Sequence, residues 1–177
     1  AASASERAEA VKHHLRWAEV AQRLGCEHIR VRASTGGDPE EQLAHAAAGV
    51  DALCNALNSS PVGVLVENIA GHSRDPDWLV QLVKQIGPER VGLIADFGNF
   101  QGDLYAGMKK IIPYTKSLCT KSKEFDADGN ETTIDFGRMM EVVKASKFRG
   151  CIAIEHVGKD SVAGVRKSMA LIRKAIA

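Results

Sequence analysis

Short apolar runs alternate along the chain with longer amphipathic stretches. Residues 62–66 (VGVLV), 91–95 (VGLIA) and 151–154 (CIAI) are continuous apolar runs, while 27–33 (EHIRVRA) alternates strictly. In that alternating run Ile29 and Val31 share one side, and His28, Arg30 and Arg32 the other. Residues 115–122 form a less apolar strand. Between the runs lie helical stripes. Val11, Leu15, Ala18, Ala21 and Leu24 follow a Ser3/Glu6 capping box, and Leu43, Ala47, Val50, Leu53 and Leu57 follow Pro39. Trp78, Leu79, Leu82, Val83 and Ile86 stop at Gly87-Pro88, and helices are predicted over 104–112, 139–145 and 161–177. Residues 34–38 read as a Gly-rich loop. The pattern predicts five strands, each followed by a helix, beginning near 27, 62, 91, 115 and 151. Such a series makes a parallel sheet covered by helices.

Two of the runs end on an acid, Glu67 and Asp96, and the last run leads into Glu155. If these three point to one interior, alternation sends Gly63, Leu65, Gly92, Ile94, Cys151 and Ala153 the same way. The opposite face carries Val64, Val66, Leu93, Ile152 and Ile154. Small residues suit the crowded axis of a closed barrel, and branched ones suit contact with covering helices. The predicted fold is therefore α/β, a (β/α)8 TIM barrel forming a single domain over 1–177. A complete barrel takes roughly 250 residues, so the chain is expected to supply the C-terminal five or so βα units.

Composition narrows the function classes. A formal net charge of +1 without a basic block gives no reason to expect nucleic acid or an anionic membrane as partner, and no apolar run approaches the length of a membrane span. Cys26, Cys54, Cys119 and Cys151 are widely spaced, which predicts reduced, buried thiols in a cytoplasmic protein. The carboxyl ends of parallel strands are where α/β proteins build their sites. One strand-end acid is an ordinary solvated group or helix cap; three on three buried strands point to a site.

The strings VENIAGHSRDPDWL, IADFGNF, KSKEFDADGNETTIDFGRMM and GCIAIEHVG resemble the xylose-isomerase-like TIM barrels, the superfamily of sugar phosphate isomerases and epimerases. The resemblance runs from about Leu24 to the C-terminus. It implies a divalent metal at the barrel mouth, held by Glu, Asp, His and Glu from four late strands. The matching positions are Glu67, Asp96, the 116–121 strand and Glu155, with Glu67 and Glu155 also matching the two proton-moving glutamates of ketose epimerases. Two positions depart from the family pattern. The 116–121 strand has no histidine, and Cys119 stands nearest its place; the family's D-x-x-H reads Asp96-Phe97-Gly98-Asn99.

Isomerising a sugar beside its carbonyl needs a proton taken from carbon and the enediolate stabilised, tasks for a carboxylate and a Lewis-acidic metal. Oxygen ligation favours Mn²⁺ or Mg²⁺, whereas a coordinating Cys119 would favour Zn²⁺. Lys121, two residues beyond Cys119, is expected to face inward as a substrate-binding group. Asn99 suits a sugar hydroxyl, and His72 is a candidate from the loop after Glu67. Arg32 is a substrate-binding candidate too, although an internal ion pair is the simpler fate of Arg30 and Arg32. FDADGNE has its glycine too early and its last acid out of register for a calcium loop, so it reads as a turn. The expected function is metal-dependent isomerisation or epimerisation of a small sugar or sugar phosphate, with the sugar as small-molecule partner, no nucleic acid or membrane, and a homo-oligomer allowed. Dehydratase or lyase chemistry on a polyol, or a non-catalytic barrel, are the alternatives. Endonuclease activity is disfavoured by the lack of a histidine-rich cluster and a basic surface.

Overall fold

The computed structural model describes residues 3–33 and 37–177. Most of the predicted loop at 34–38 therefore lies outside the described residues. The strands are β1 (His28–Val31), β2 (Gly63–Glu67), β3 (Val91–Asp96), β4 (Thr115–Ser122) and β5 (Cys151–His156). The helices are α1 (Ala4–Arg23), α2 (Pro39–Ala56), α3 (Pro76–Ile86), α4 (Leu104–Ile111), α5 (Phe136–Ala145) and α6 (Ser161–Ile176). All five strands run parallel in the order β1-β2-β3-β4-β5. An open doubly wound sheet reverses its strand order at a switch point, whereas sequential order is that of a barrel wall. Among the described residues the sheet is a five-stranded arc with β1 and β5 at its edges.

Local chemistry starts each helix where a strand's loop delivers it. Asp38, Asp75, Asp103, Asp135 and Asp160 are N-caps of α2 to α6, each accepting from backbone N–H groups of the first turn. Ser3 and Glu6 form the predicted capping box of α1. Gly87 ends α3 at φ +113°, a conformation that favours glycine.

The core lies between the outer face of the arc and the helices. Val64, Val66, Leu93, Ala95 and Leu118 from the strands meet Leu79, Leu82, Val83, Met108, Ile111, Met139 and Met140, all nearly or fully buried. Burying each large side chain of this kind is worth about 1.5–3 kcal/mol. The last position of the α1 stripe departs from expectation: Leu24 is exposed, as is Trp17. The cysteines differ too, since Cys54 is buried and Cys119 half-buried but Cys26 and Cys151 are exposed. Cys26 sits in the turn after α1, and Cys151 points from edge strand β5 into the open side of the arc. No helix of the described residues is long and apolar enough to cross a membrane.

Candidate active site

Alternation carries the predicted acids to the concave side. Glu67 and Asp96, the last residues of β2 and β3, are buried, and Glu155 lies near the end of β5 with its side chain half-exposed. Between them β4 contributes Cys119 and Lys121. Sheet register sets Asp96 beside Cys119 and Lys121 beside Glu155. The register slips once, at Leu93/Ile94, and this brings Cys119 level with Asp96.

Lys121 ties the cluster together. Its ammonium lies 2.9 Å from Asp96 Oδ2 as an ion pair outside hydrogen-bonding geometry, 3.2 Å from Glu155 Oε2, and 3.2 Å from Asn99 Oδ1, to which it donates. The Lys121 stem passes over Gly98, where a Cβ would stand 3.1 Å from its Cδ. Gly98 also donates its N–H to Asp96 Oδ1 at 2.8 Å. Arg30, facing inward from β1, forms the predicted ion pair: its Nη1 donates to Glu67 Oε2 at 2.8 Å. The Asn99 side-chain Nδ2 is a buried donor without a partner among the described residues.

Charge and burial work against each other here. Burial pushes the Asp96 carboxyl up, and Lys121 and the Gly98 N–H only partly offset that. Glu67 is likewise raised, by burial first and with Arg30 opposing. Burial and the neighbouring carboxylates of Asp96 and Glu155 raise the Cys119 thiol far above its ordinary value. In the absence of a cation it is a thiol, donating toward Glu155 Oε2 at 3.5 Å.

Asp96, Cys119 and Glu155 each offer an atom within 4.8 Å of the other two, a spacing suited to one metal ion. Fully buried Asp96 directs an oxygen into this group beside the Lys121 ammonium, and the donor set is oxygen, sulfur, oxygen. The residues therefore fit a divalent cation. Of the expected Glu67, Asp96 and Glu155, the last two lie in this group with Cys119, while Glu67 pairs with Arg30.

Two substrate-binding expectations fall elsewhere. His72 binds the Gly37 carbonyl through Nε2 at 2.8 Å and packs beside Trp78, whose indole N–H donates to Pro39 O. The ring thus joins the loop before α2 to the one before α3 instead of reaching the carboxylates. Arg32 lies beyond the end of β1, exposed, beside a cavity of about 90 Å³ that Arg7, His14 and His45 also line. Asn68, which the sequence reading passed over, is fully buried beside Glu67. Its side chain accepts from Asp96 N–H at 2.7 Å and donates to Asp96 O at 3.0 Å. A polar amide following a strand-end acid was the available signal, since a buried amide has to find partners.

The sequence profile of the family described as xylose isomerase-like TIM barrel matches residues 1–175. The chain belongs to this family. No curated protein sequence matches it. Among solved structures it is similar to an L-ribulose 3-epimerase, at TM-score 0.83 and 13% identity, covering 99% of this chain and 70% of that one. A D-tagatose 3-epimerase-like protein matches at TM-score 0.79 and 17% identity, covering 99% and 72%. A xylose isomerase-like TIM barrel protein from Mycobacterium smegmatis, solved in complex with magnesium, matches at 0.72 and 16%, covering 99% and 70%. At these identities the likeness is one of fold.

Proposed function

We propose that this xylose isomerase-like chain serves an isomerase or epimerase of a small sugar or sugar phosphate that uses a divalent cation. The observation that carries this reading is the convergence of three strand-end acids on the concave side, Asp96 and Glu155 on Lys121 and Glu67 held by Arg30. Asp96, Glu155 and Cys119 are the residues that would hold the cation. When bound, it would supply Lewis-acid stabilisation to the oxygen that becomes negative as the substrate enolises.

The chain's own residues account for the rest. Glu67 and Glu155 flank the arc interior from β2 and β5, so one can take a proton from carbon on one side of a bound sugar and the other return it. Burial suits Glu67 to this task, because a raised carboxyl is a better proton acceptor than an ordinary one. Arg30 orients its carboxylate through the 2.8 Å hydrogen bond. Asn99 offers its unpartnered Nδ2 to a sugar hydroxyl, and the Lys121 ammonium lies ready beside developing negative charge.

One observation favours a second reading, a barrel that binds without turnover: Arg30 and Lys121 already pair with all three carboxylates. The full chain assayed for interconversion of ketose epimers, beside Glu155→Gln, separates the two. Turnover by the parent and its loss in the variant, with circular dichroism unchanged, is expected. A variant as active as the parent would remove Glu155 from the mechanism, and an inactive parent that still binds sugars would favour the second reading.

A further inference from the structure

We infer that Cys119 is a metal ligand, and that the Asp96–Cys119–Glu155 group selects a thiophilic divalent ion such as Zn²⁺ or Co²⁺ over Mg²⁺. The inference rests on the cation-site reading above and specifies its chemistry.

Geometry comes first. Asp96 and Cys119 are register partners on adjacent strands, and Glu155 lies on the next strand with Oε2 3.5 Å from Sγ. The three ligand atoms already lie within 4.8 Å of one another. Ligands of a tetrahedral ion with bonds of about 2.0–2.3 Å stand roughly 3.5 Å apart, so side-chain rotations of ordinary size close the site without moving the sheet. All three side chains leave regular strands, which hold such positions more firmly than loops do.

A second observation is independent of the cysteine. Asp96 is fully buried, and its Oδ2 faces the group with the Lys121 ammonium 2.9 Å away as its counter-charge. A buried carboxylate needs a cationic partner, a place that Lys121 fills here and that a divalent ion would share with it. Lys121 also donates to Asn99 Oδ1 at 3.2 Å, a contact its ammonium can keep while an ion engages the carboxylates. The charges then balance. Two carboxylates and a thiolate carry three negative charges, matched by a divalent ion and the Lys121 ammonium. Binding would break the S–H bond of Cys119, its proton leaving to water as the sulfur–metal bond forms.

Softness decides which ion. Thiolate sulfur favours Zn²⁺ and Co²⁺, whereas Mg²⁺ needs an octahedron of hard oxygens. A fourth position could remain open to water or substrate, as in catalytic zinc sites with three protein ligands.

The test is to titrate the metal-depleted full chain with Co²⁺ and record its near-ultraviolet spectrum, then displace Co²⁺ with Zn²⁺ or Mg²⁺. Expected are one Co²⁺ per chain, a sulfur-to-cobalt charge-transfer band, and displacement by Zn²⁺ but not by Mg²⁺. Cys119→Ser should lose the band and weaken Zn²⁺ binding by about 100-fold or more, since a direct ligand matters at least as much as an outer-shell partner. Cobalt bound with no sulfur band, and equally well in the variant, would overturn the inference yet leave the proposed function standing. Failure of the parent to bind Co²⁺, Zn²⁺ or Mg²⁺ would overturn both.

Discussion

Asn68 brackets the peptide of Asp96, accepting from its N–H at 2.7 Å and donating to its carbonyl at 3.0 Å. The last residue of β3, still paired with Cys119 on β4, thereby gains from a side chain at the end of β2 the bonds that the β2 ladder no longer supplies. The β2–β3 ladder reaches only Glu67 opposite Ile94, two residues short of Asp96. The amide thus helps, with the β4 pairing and the Gly98 N–H, to hold the Asp96 carboxylate in the cluster.

Asn68→Ala is therefore expected to destabilise the protein by about 1–3 kcal/mol, because it leaves the Asp96 N–H buried without this partner. It should also weaken divalent-ion binding although Asn68 offers no ligand. Urea unfolding and a metal titration measure the two effects. An unchanged midpoint together with unchanged affinity would show that the bracket is idle.

The strand-end acids and inward-facing Lys121 were legible in the sequence because side chains alternate with a period of two, and three apolar runs fixed the phase. Arg30 faces inward for the same reason; an internal ion pair was expected of it or Arg32, and the structure gives Glu67 as Arg30's partner. The resemblance placed Cys119 nearest the family's histidine position, but its closeness to Asp96 was not legible. Its pairing with Asp96 depends on the register slip at Leu93/Ile94, which no local pattern announces. His72 and Arg32 went elsewhere because loop direction follows contacts distant in sequence, here the Gly37 carbonyl for His72. Asn68 escaped notice because alternation turns it away from the interior, and only the assembled fold shows that its side is closed to water.

Lys121 gives a prediction that separates its two roles. Its side chain is 12% exposed and Asp96 fully buried, so removing the ammonium strands a buried carboxylate. Lys121→Met should cost about 3–5 kcal/mol without metal, the range for breaking one side of a buried pair. Most of this comes from Asp96, since Glu155 is half-exposed and better solvated. Added Zn²⁺ should then raise the melting temperature of the variant more than that of the parent, because the ion meets an uncompensated site. Equal gains in both proteins would mean that ammonium and ion do not share the space between Asp96 and Glu155.

The loop after β4 is built around another buried acid, Glu131. It accepts from Lys123 N at 2.9 Å, Glu124 N at 3.3 Å, Thr133 N at 2.6 Å, Thr133 Oγ1 at 2.8 Å, and the Ile134 N–H. Burial pushes its carboxyl up, but the donors outweigh burial and hold it below the ordinary value of 4.5. Glu131→Gln should cost about 1–3 kcal/mol at neutral pH, since an amide turns an N–H₂ toward groups that are themselves donors. A lowered native value means that the carboxylate's contribution is complete above about 4.5 and is lost as pH falls through that lowered value. The stability gap between parent and variant should therefore be constant through neutral pH and close in acid. Urea midpoints compared across that range measure it, and a gap that persists unchanged in acid would mean that the charge on Glu131 does not hold the loop.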